Sequence, residues 1–472
     1  MQNTPTERII EIAKAQKAFF RSGKTLDIHY RKHSLKKLLI TIESNEELLA
    51  KALWQDLHKS YEEAYLTEIS IVKSEIKAHL KSLSKWAAKK RVSTPLHLFP
   101  SKSYIVKEPL GCTLIIAPWN YPFQLIINPL IGAISAGCTA ILKPSPYVPA
   151  VAAVIEKIIK ESFDNEYIAV VQGDRTVNSA LLEQRWDLIF FTGSPSLGRT
   201  VMLAAAKNLT PVILELGGKS PCIIDKSADL KLAAKRIAWG KTLNCGQTCI
   251  APDYILIHKD VKEKFVQYFA EAIKNLHYSS SENRTDSLPV FPDRFYVHMV
   301  NEKAFDRVTS YLKEGNIIYG GKNDKERLLI EPTLIENISH ESQVMKEEIF
   351  GPLFPVITFD DTEKPFKEKV IDCVVSREKP LAFYYFGKES DGWEIIGRTS
   401  SGGGCINDVI MHIANDNLPF GGVGNSGMGN YHKQKSFEAF THTRSILVTG
   451  TLIDLPFRYM PYKLFNLIKR II

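Results

Sequence analysis

Cys249 is the residue best placed to act as a nucleophile. It follows Gly246-Gln-Thr and precedes an Ile-Ala-Pro turn, which leads into the strand-like run at 254–258. Loops that join the regular elements of a rigid scaffold are where reactive groups concentrate. A thiol is intrinsically very nucleophilic, so a modest lowering of its pKa makes it usable at neutral pH. Because most cysteines are only small buried hydrophobic residues, the hypothesis depends on partners elsewhere in the chain.

Two further polar residues could assist such a thiol. Glu215 ends an apolar strand and is followed by a leucine and two glycines. A carboxyl among apolar neighbours could have a raised pKa and act as a general base. Asn120, bracketed by Pro118 and Pro122, could donate an amide N–H to a developing oxyanion. Taken singly, a salt-bridged strand end and a turn residue are the simpler interpretations.

Length, composition and charge narrow the class of protein. The chain has 472 residues, which predicts two or three domains, and its 44% hydrophobic and 24% charged content is typical of a globular protein. The net charge of +8 is scattered over amphipathic helices that also contain Glu, and no recognition motif accompanies it, so we expect no nucleic-acid partner.

The seven cysteines form no paired spacing, which predicts a reducing, cytoplasmic location. Cys245 and Cys249 lie four positions apart, but no second Cys/His pair at zinc-ligand spacing accompanies them. We therefore expect no metal site.

Neither end of the chain carries a strong targeting signal. The N-terminus lacks the charged-then-apolar build of a secretory signal. Residues 109–142 carry no charge, but prolines and amides interrupt them, which favours the buried interior of an α/β protein over a membrane span. Residues 455–472 are apolar and basic. Docking of this tail against the body is favoured over attachment to a membrane surface, because no second anchoring signal is evident.

The middle of the chain alternates between strands and helices. Residues 5–92 have helical periodicity and are expected to cover a sheet, while 95–108 are predicted to form a projecting hairpin. Next come predicted strands at 113–117, 140–142, 168–171 and 188–191, with helices at 123–136, 148–162 and 197–207. This alternation predicts a parallel sheet with helices on both faces, and ligands of such sheets bind at the carboxyl ends of the strands.

A second alternation contains Cys249. Strands are predicted at 212–215, 221–224 and 254–258, and helices at 230–239 and 261–276. A polar stretch at 279–287 separates them from further elements and from Gly-rich segments near 402 and 421. We interpret this half as a second α/β domain that carries the nucleophile.

Two glycine-rich loops compete as the cofactor loop. Gly422, Gly424 and Gly427 match GxGxxG, but neither a preceding apolar strand nor a following helix is present, so we reject this match. The loop Phe190-Phe-Thr-Gly-Ser-Pro-Ser-Leu-Gly-Arg199 follows an apolar strand and opens a helix. Its glycines permit a tight turn, and the helix N-terminus favours anionic groups, so it is the better candidate.

Five ordered blocks of sequence carry a resemblance to a known family. They are Pro118-Trp-Asn-Tyr-Pro122, Phe191-Thr-Gly-Ser194, Glu215-Leu-Gly-Gly-Lys219, Gly246-Gln-Thr-Cys249 and Glu347-Glu-Ile-Phe-Gly-Pro352. Together they resemble the NAD(P)-dependent aldehyde dehydrogenase superfamily, in order, from about residue 100 to 450. The short N-terminal region, Ala251-Pro-Asp-Tyr254 and Leu418-Pro-Phe-Gly-Gly-Val-Gly-Asn-Ser-Gly-Met-Gly429 are most similar to the class 3 branch, which acts on fatty and aromatic aldehydes.

The resemblance implies an α/β fold with three parts and a tail. A Rossmann-like cofactor domain would comprise 1–94 and 109–210, and a second α/β catalytic domain 211–430. A β-hairpin oligomerisation arm, formed by 95–108 and 440–452, implies a homodimer, and 453–472 would be a C-terminal tail. The implied activity is NAD(P)-dependent oxidation of medium- or long-chain aliphatic or aromatic aldehydes to carboxylic acids.

The resemblance also assigns roles to residues. It implies Cys249 as the nucleophile that forms a thiohemiacetal and a thioester, and Glu215 as the general base. Asn120 would be the oxyanion donor, helped by the backbone N–H of Cys249. Lys143 would contact the adenine ribose, and Glu348 and Phe350 would position the nicotinamide ribose. The glycine loop would contribute Thr192, Gly193, Ser194 and Gly198.

One departure from the family pattern bears on the cofactor. Where many relatives have Lys-Pro-Ser-Glu, this chain has Lys143-Pro-Ser-Pro146. A carboxylate that could bind the ribose hydroxyls and repel a 2′-phosphate is therefore absent, and we expect NADP to be accepted alongside NAD.

Two other classes of function stay open at this stage. A cofactor-independent thiol hydrolase or acyltransferase would use Cys249 and Glu215 but would not need the glycine loop or Lys143. A catalytically silent binding protein would need neither the nucleophile nor its partners.

Overall fold

The chain opens with a layer of helices. The computed structural model describes residues 2–277, 295–339, 341–455, 458–462 and 465–469. The first helices are α1 (Thr6–Arg21), α2 (Ile28–Ser44), α3 (Glu46–Leu57), α4 (Tyr61–Ala64) and α5 (Ser70–Trp86). A single π-helical turn, Tyr65–Ile69, joins α4 to α5. The side chain of Gln16, buried on α1, donates to the Ala140 carbonyl at 2.8 Å. The predicted helical cover is confirmed.

Two arm strands, β1 (Lys90–Val92) and β2 (Lys102–Pro109), precede the first α/β sheet. The sheet and its helices then follow as β3 (Cys112–Ile116), α6 (Gln124–Ala136), β4 (Thr139–Lys143), α7 (Pro149–Ser162), β5 (Ile168–Val170), α8 (Arg175–Leu182), β6 (Leu188–Gly193), α9 (Pro195–Ala206) and β7 (Val212–Leu216). These strands pair in parallel in the order β7-β6-β3-β4-β5. Every residue of α6 is buried, as predicted for the uncharged segment.

The second sheet is built from the following half of the chain. Its elements begin with β8 (Pro221–Ile224), α10 (Leu230–Thr242), β9 (Tyr254–His258), α11 (Lys259–His277), α12 (Glu302–Ser310), β10 (Asn316–Tyr319), β11 (Asn323–Asp324), β12 (Leu329–Ile330) and β13 (Thr333–Glu336). They continue with α13 (Gln343–Lys346), β14 (Leu353–Phe359), α14 (Phe366–Val375), β15 (Ala382–Phe386), α15 (Glu389–Arg398) and β16 (Gly403–Ile406). The strand order is β10-β13-β14-β9-β8-β15-β16. The predicted polar stretch at 279–287 lies outside the described residues.

The last segments return to earlier parts of the fold. They are β17 (Gly427–Met428), α16 (Gln434–Ala439), β18 (Thr441–Val448) and α17 (Phe465–Ile468). β18 pairs antiparallel with β2, which pairs with β1, so the arm is a three-stranded sheet that joins 90–109 to 441–448. The predicted hairpin is therefore present but begins at Lys90, before residue 95.

The first sheet extends past the predicted boundary at residue 210. β7 pairs with β6, and β17 pairs antiparallel with β7, so both strands belong to the first sheet although 211–430 was predicted to form the second domain. Two apolar runs separated by a short glycine turn do not show which sheet each one joins. The rejected GxGxxG match is confirmed as unrelated to a strand-loop-helix motif, because Gly424–Ser426 is a 3₁₀ turn that leads into β17.

The predicted docking of the C-terminal tail is wrong for the side chains that the structure describes. Met460 is 79% exposed and Phe465 61%, and Tyr459 and Tyr462 are also exposed. An apolar pattern shows that a side chain gains by burial but does not show which surface would bury it. Among the helices of the described ranges, none combines the length and the apolar character needed to cross a bilayer.

Candidate active site

Cys249 lies between α10 of the second sheet and β9. After α10 the chain turns through Asn244, Cys245 and Gly246, whose φ values are 50°, 55° and 70°. Glycine is required at 246, because an added Cβ would lie 2.5 Å from the carbonyl oxygen of Gly351. The turn brings Cys249, which is half-buried, to the wall of a cavity of about 790 Å³.

Burial and two carboxyls control the titration of this thiol. Burial raises the pKa of Cys249 well above its usual range, and Glu348 and then Glu215 raise it further. All three residues line the same cavity. The backbone N–H groups of Cys249 and Ile250 act in the opposite direction and lower the pKa of the thiol.

Asn120 is buried at the mouth of the same cavity. Its Nδ2 donates to the Gln247 carbonyl at 3.0 Å, and its own carbonyl accepts from Asn244 Nδ2 at 2.9 Å and from Lys59 Nζ at 3.2 Å. The two loops that carry Asn120 and Cys249 are thus hydrogen-bonded to each other. Tyr121 adds a further link, because its hydroxyl lies 2.7 Å from Thr248 Oγ1.

Glu215 sits near the end of β7, between β6 and β17. Thr192 pairs with it on β6 and Gly427 on β17. The carboxyl is buried, and neither of its oxygens has a hydrogen-bond partner among the described residues. Burial raises the pKa of Glu215 well above its ordinary value. Burial therefore favours the protonated form of this carboxyl, and its role as a general base stays a prediction.

Glu348 and Phe350 form a further wall of the cavity. The Glu348 carboxyl packs so closely on the turn after β7 that a Cβ at Gly217 would lie 2.0 Å from its Oε2. Phe350 has a left-handed φ of 49°, and its ring meets Trp119 edge-on at 5.4 Å. Arg307 donates to the carbonyl oxygens of Glu348 and Ile349 at 3.2 and 2.6 Å, which holds this segment against the cavity.

The predicted cofactor loop divides into cavity-lining and packing residues. Thr192, Gly193 and Ser194 line the cavity. Ser194 also caps α9, accepting from the Leu197 N–H at 3.4 Å. Gly198 does not line the cavity, but an added Cβ would lie 2.7 Å from Leu216, so its role is to let α9 pack closely on β7.

Lys143 lies at the carboxyl end of β4, at the same sheet edge. It is buried, and its ammonium donates to the Pro144 carbonyl at 2.9 Å. Burial lowers its pKa to about 8. It is not among the described residues that line the cavity, so its contact with an adenine ribose stays a prediction.

Sequence reasoning missed several residues of the site. Tyr431 is buried, its hydroxyl has no hydrogen-bond partner in the described part of the chain, and burial, Glu215 and Cys249 all raise its pKa. Lys219 bridges Asp253 and the Val344 carbonyl, and thereby ties the turn after β7 to the Glu348 wall. Lys219 and Asp253 stand inside the quoted motifs, but only the fold shows that they contact each other. Tyr431 has no local signal at all.

The site can therefore bring a thiol, an amide and a carboxyl to one substrate. The groupings of three or more His, Cys, Asp or Glu that could hold a metal are absent from the described residues. The cavity is large enough for a cofactor and a small substrate together. The N-terminus of α9 opens onto it through Ser194, Pro195 and Ser196, where the helix dipole favours an anionic group. These residues fit a nucleotide.

The raised pKa of Glu215 has a consequence for stability. In the unfolded chain this carboxyl ionises near its ordinary pKa, whereas the folded protein retains the proton to a higher pH. Between the two pKa values the folded state binds more protons, so wild-type stability falls as the pH rises. Glu215→Gln does not titrate, so we expect the margin between its free energy of unfolding and that of wild type to shift in favour of the variant as the pH rises from about 5 to about 8. Urea unfolding at both pH values measures this; a constant margin would contradict it.

Comparisons with known proteins agree with this arrangement. A model described as the aldehyde dehydrogenase family matches residues 1–446. The chain is 45% identical to 4,4'-diaponeurosporen-aldehyde dehydrogenase of Staphylococcus aureus, over 95% of both chains. It is 41% identical to the dimeric NADP-preferring aldehyde dehydrogenase of Canis lupus familiaris, over 96% of this chain and 98% of that one. It is 42% identical to aldehyde dehydrogenase family 3 member H1 of Arabidopsis thaliana, over 94% and 90%.

A solved structure gives the same result. The substrate-bound state of Staphylococcus aureus AldH superposes with a TM-score of 0.93 at 44% identity, covering 98% of this chain and 99% of that one. Both the fold and the branch of the family expected from the motifs are confirmed. The chain belongs to the aldehyde dehydrogenase family, is most similar to relatives that include its family 3 members, and is an NAD(P)-dependent oxidoreductase of aldehydes.

Proposed function

We propose that Cys249 attacks the aldehyde carbonyl carbon and that Asn120 and Glu215 serve two successive steps. The observation that carries this is the convergence of all three side chains on one cavity. Addition of the sulfur gives a tetrahedral thiohemiacetal whose oxyanion would accept from Asn120 Nδ2 and from the backbone N–H of Cys249. The thiol proton passes to solvent through the cavity that Cys249 lines.

A bound nicotinamide dinucleotide would supply the acceptor for the hydride that the adduct loses. Glu215 then accepts a proton from the water that attacks the resulting thioester, and the carboxylic acid leaves as Cys249 regains its thiol. No permanent partner holds this carboxyl, so it can accept that proton and return it to the sulfur as the thioester breaks. Covalent attachment divides one difficult oxidation into two easier steps.

The cofactor would be held by the residues on two sides of the cavity. Thr192, Gly193 and Ser194 lie beside the N-terminus of α9, which suits the pyrophosphate. Glu348 and Phe350 face them and would hold the nicotinamide ribose. The left-handed φ of Phe350 and the tight contact of Glu348 with Gly217 fix this wall, so these two residues position the ribose against Cys249.

We propose that the substrates are apolar aldehydes of medium or long chain, or aromatic ones. Trp119, Leu125, Met345 and Phe350 give the cavity apolar walls. The Staphylococcus relative is named for 4,4'-diaponeurosporen-aldehyde, and this chain shares 45% of its residues. A cytoplasmic location stays a prediction, supported by seven cysteines that are all free thiols.

Two substitutions separate the proposed steps. Cys249→Ser should form no reduced cofactor, because the nucleophile is lost, while cofactor binding measured by fluorescence is retained. Glu215→Gln should give a burst of about one reduced cofactor per site, followed by steady turnover slowed about 10²- to 10⁴-fold, because the thioester waits for hydrolysis. Stopped-flow measurement of the absorbance of reduced cofactor follows the burst and the steady turnover of each variant. Turnover by the Cys249 variant would refute the mechanism, and absence of the burst in the Glu215 variant would place this residue before hydride loss.

The cofactor proposal concerns Lys143. We expect wild type to oxidise decanal and benzaldehyde with either NAD or NADP, because Pro146 places no carboxylate against a 2′-phosphate. Lys143→Met should lower kcat/KM about tenfold more for NADP than for NAD, as expected for loss of one charge-assisted contact. As the pH rises through about 8, the Lys143 ammonium loses its proton and its charge. The ratio of kcat/KM for NADP to kcat/KM for NAD should then fall. Strict preference for NAD by wild type, or equal losses with both cofactors, would contradict this.

We also propose a homodimer formed through the arm. Phe99, Leu447 and Val448 are about half-exposed apolar residues on or beside the arm sheet. The dog relative is named as dimeric. Sedimentation velocity should show twice the chain mass, and Leu447→Glu with Val448→Glu should shift the protein to monomer. Trp393→Glu, which changes an exposed side chain on α15, is the matched control and should stay dimeric. A monomeric wild type would refute the proposal.

A further inference from the structure

A buried ion pair lies beneath the loop that carries Asn120. Lys59, between α3 and α4, and Glu68, on the π-helical turn, meet at 2.7 Å between Nζ and Oε1. Both side chains are 0% exposed. Burial of two charges costs more than their attraction returns unless further hydrogen bonds satisfy them, so a pair in this position calls for an explanation beyond stability.

The further hydrogen bonds of this pair go to the active-site loop. Lys59 Nζ donates to the Asn120 carbonyl at 3.2 Å and lies 4.3 Å from the centre of the Tyr121 ring. Glu68 Oε2 accepts from the backbone N–H groups of Phe123 and Gln124 at 2.9 and 3.2 Å. The pair therefore holds the residue that carries the oxyanion donor and also the start of α6, which follows the loop.

The π-helical turn explains how Glu68 reaches this position. Tyr65–Ile69 adds a residue to one turn between α4 and α5, which changes the direction of the side chains it carries. Such turns are less favourable than regular helix and occur frequently at functional sites. Here the turn places a carboxylate against two backbone donors that precede or begin α6.

We propose that Lys59 and Glu68 are positioning residues that fix the Asn120 amide for the oxyanion. Without the ammonium, the Asn120 carbonyl keeps only Asn244 of the two donors described for it. The backbone of Asn120 could then shift relative to Cys249, and a displacement of about 1 Å can cost about 10² in rate. The inference rests on the proposed role of Asn120.

The test compares three variants of the pair with a control pair. Lys59→Met should slow the burst of reduced cofactor about 30- to 100-fold while the cofactor Kd changes less than about twofold, because the hydrogen bonds described for the pair go to the Asn120 loop and to α6 and not to the residues assigned to the cofactor. Lys59→Met with Glu68→Gln removes both charges of the pair, so it should regain thermal stability but not burst rate. This double variant keeps the test valid even if Lys59→Met alone fails to fold. Glu68→Gln alone should slow the burst less than Lys59→Met does, because the glutamine side chain retains an oxygen that can accept from the start of α6.

Lys73 and Glu46 provide the control. They form a pair at 3.1 Å between α5 and α3, with 17% and 19% of their side chains exposed. Lys73→Met with Glu46→Gln should lower stability without changing the burst rate. A burst slowed as much by this control as by the Lys59 variants would overturn the inference.

A cycle with Asn120 shows whether the pair acts through the amide. Asn120→Ala alone should slow the burst, and adding Lys59→Met and Glu68→Gln to it should slow the burst less than about threefold more. The inference would be overturned if the slowing of the burst by Asn120→Ala and the slowing by the double variant of the pair multiplied fully. It would also be overturned if the double variant regained both stability and burst rate. Either result would leave the role of Asn120 intact. A normal burst in Asn120→Ala would instead overturn the role of Asn120, and the inference with it.

Discussion

Burying a carboxyl without a hydrogen-bond partner is energetically unfavourable, and the neighbourhood of Glu215 must offset this cost. Strand pairing on both sides of β7 holds the backbone of Glu215 in place, with Thr192 on β6 and Gly427 on β17. The side chain itself stays unpartnered among the described residues. The Tyr431 hydroxyl and Asn120 Oδ1 are likewise unpartnered there, whereas Asn120 Nδ2 gives one of its two N–H groups to the Gln247 carbonyl and keeps the other for a substrate. Reactive groups are thus left available for a substrate, while the backbone that carries them is hydrogen-bonded.

Charged residues perform the opposite task around this centre. Lys59 and Glu68 hold the Asn120 loop, and Lys219 and Asp253 join the turn after β7 to the Glu348 wall. These ions are buried or nearly so and are satisfied by carbonyls, amides and each other. Because these charged residues form hydrogen bonds with backbone atoms, they fix the backbone that carries the reacting side chains. They do not compete for the polar atoms of those side chains. The reacting side chains therefore keep unpaired polar atoms, whereas the charged residues around them have hydrogen-bond partners.

The sequence predicted the elements of the fold better than their assembly. Apolar runs of strand length identified β3 to β9, and the ordered motifs identified Cys249, Glu215 and Asn120, which do line one cavity. Short α8 was not predicted, because its eight residues offer little periodicity. The placement of β7 in the first sheet and the pair of Lys59 with Glu68 were also not predicted. Both depend on contacts between distant segments, and the π-helical turn that aims Glu68 changes no local composition.

The strained turn before Cys249 shows why such contacts are needed. Non-glycine residues with left-handed φ values are disfavoured, and they persist where the surroundings determine them. Asn244 meets this condition: its N–H donates to Glu63 at 2.9 Å, and its side chain donates to the Asn120 and Gln247 carbonyls. Two positions later, Gly246 must lack a side chain so that the chain can approach the Gly351 carbonyl. A relaxed turn would satisfy its own backbone but would separate the N-terminal helices, the Asn120 loop and the Glu348 wall. The strained turn is therefore required to bring these three segments to the thiol of Cys249.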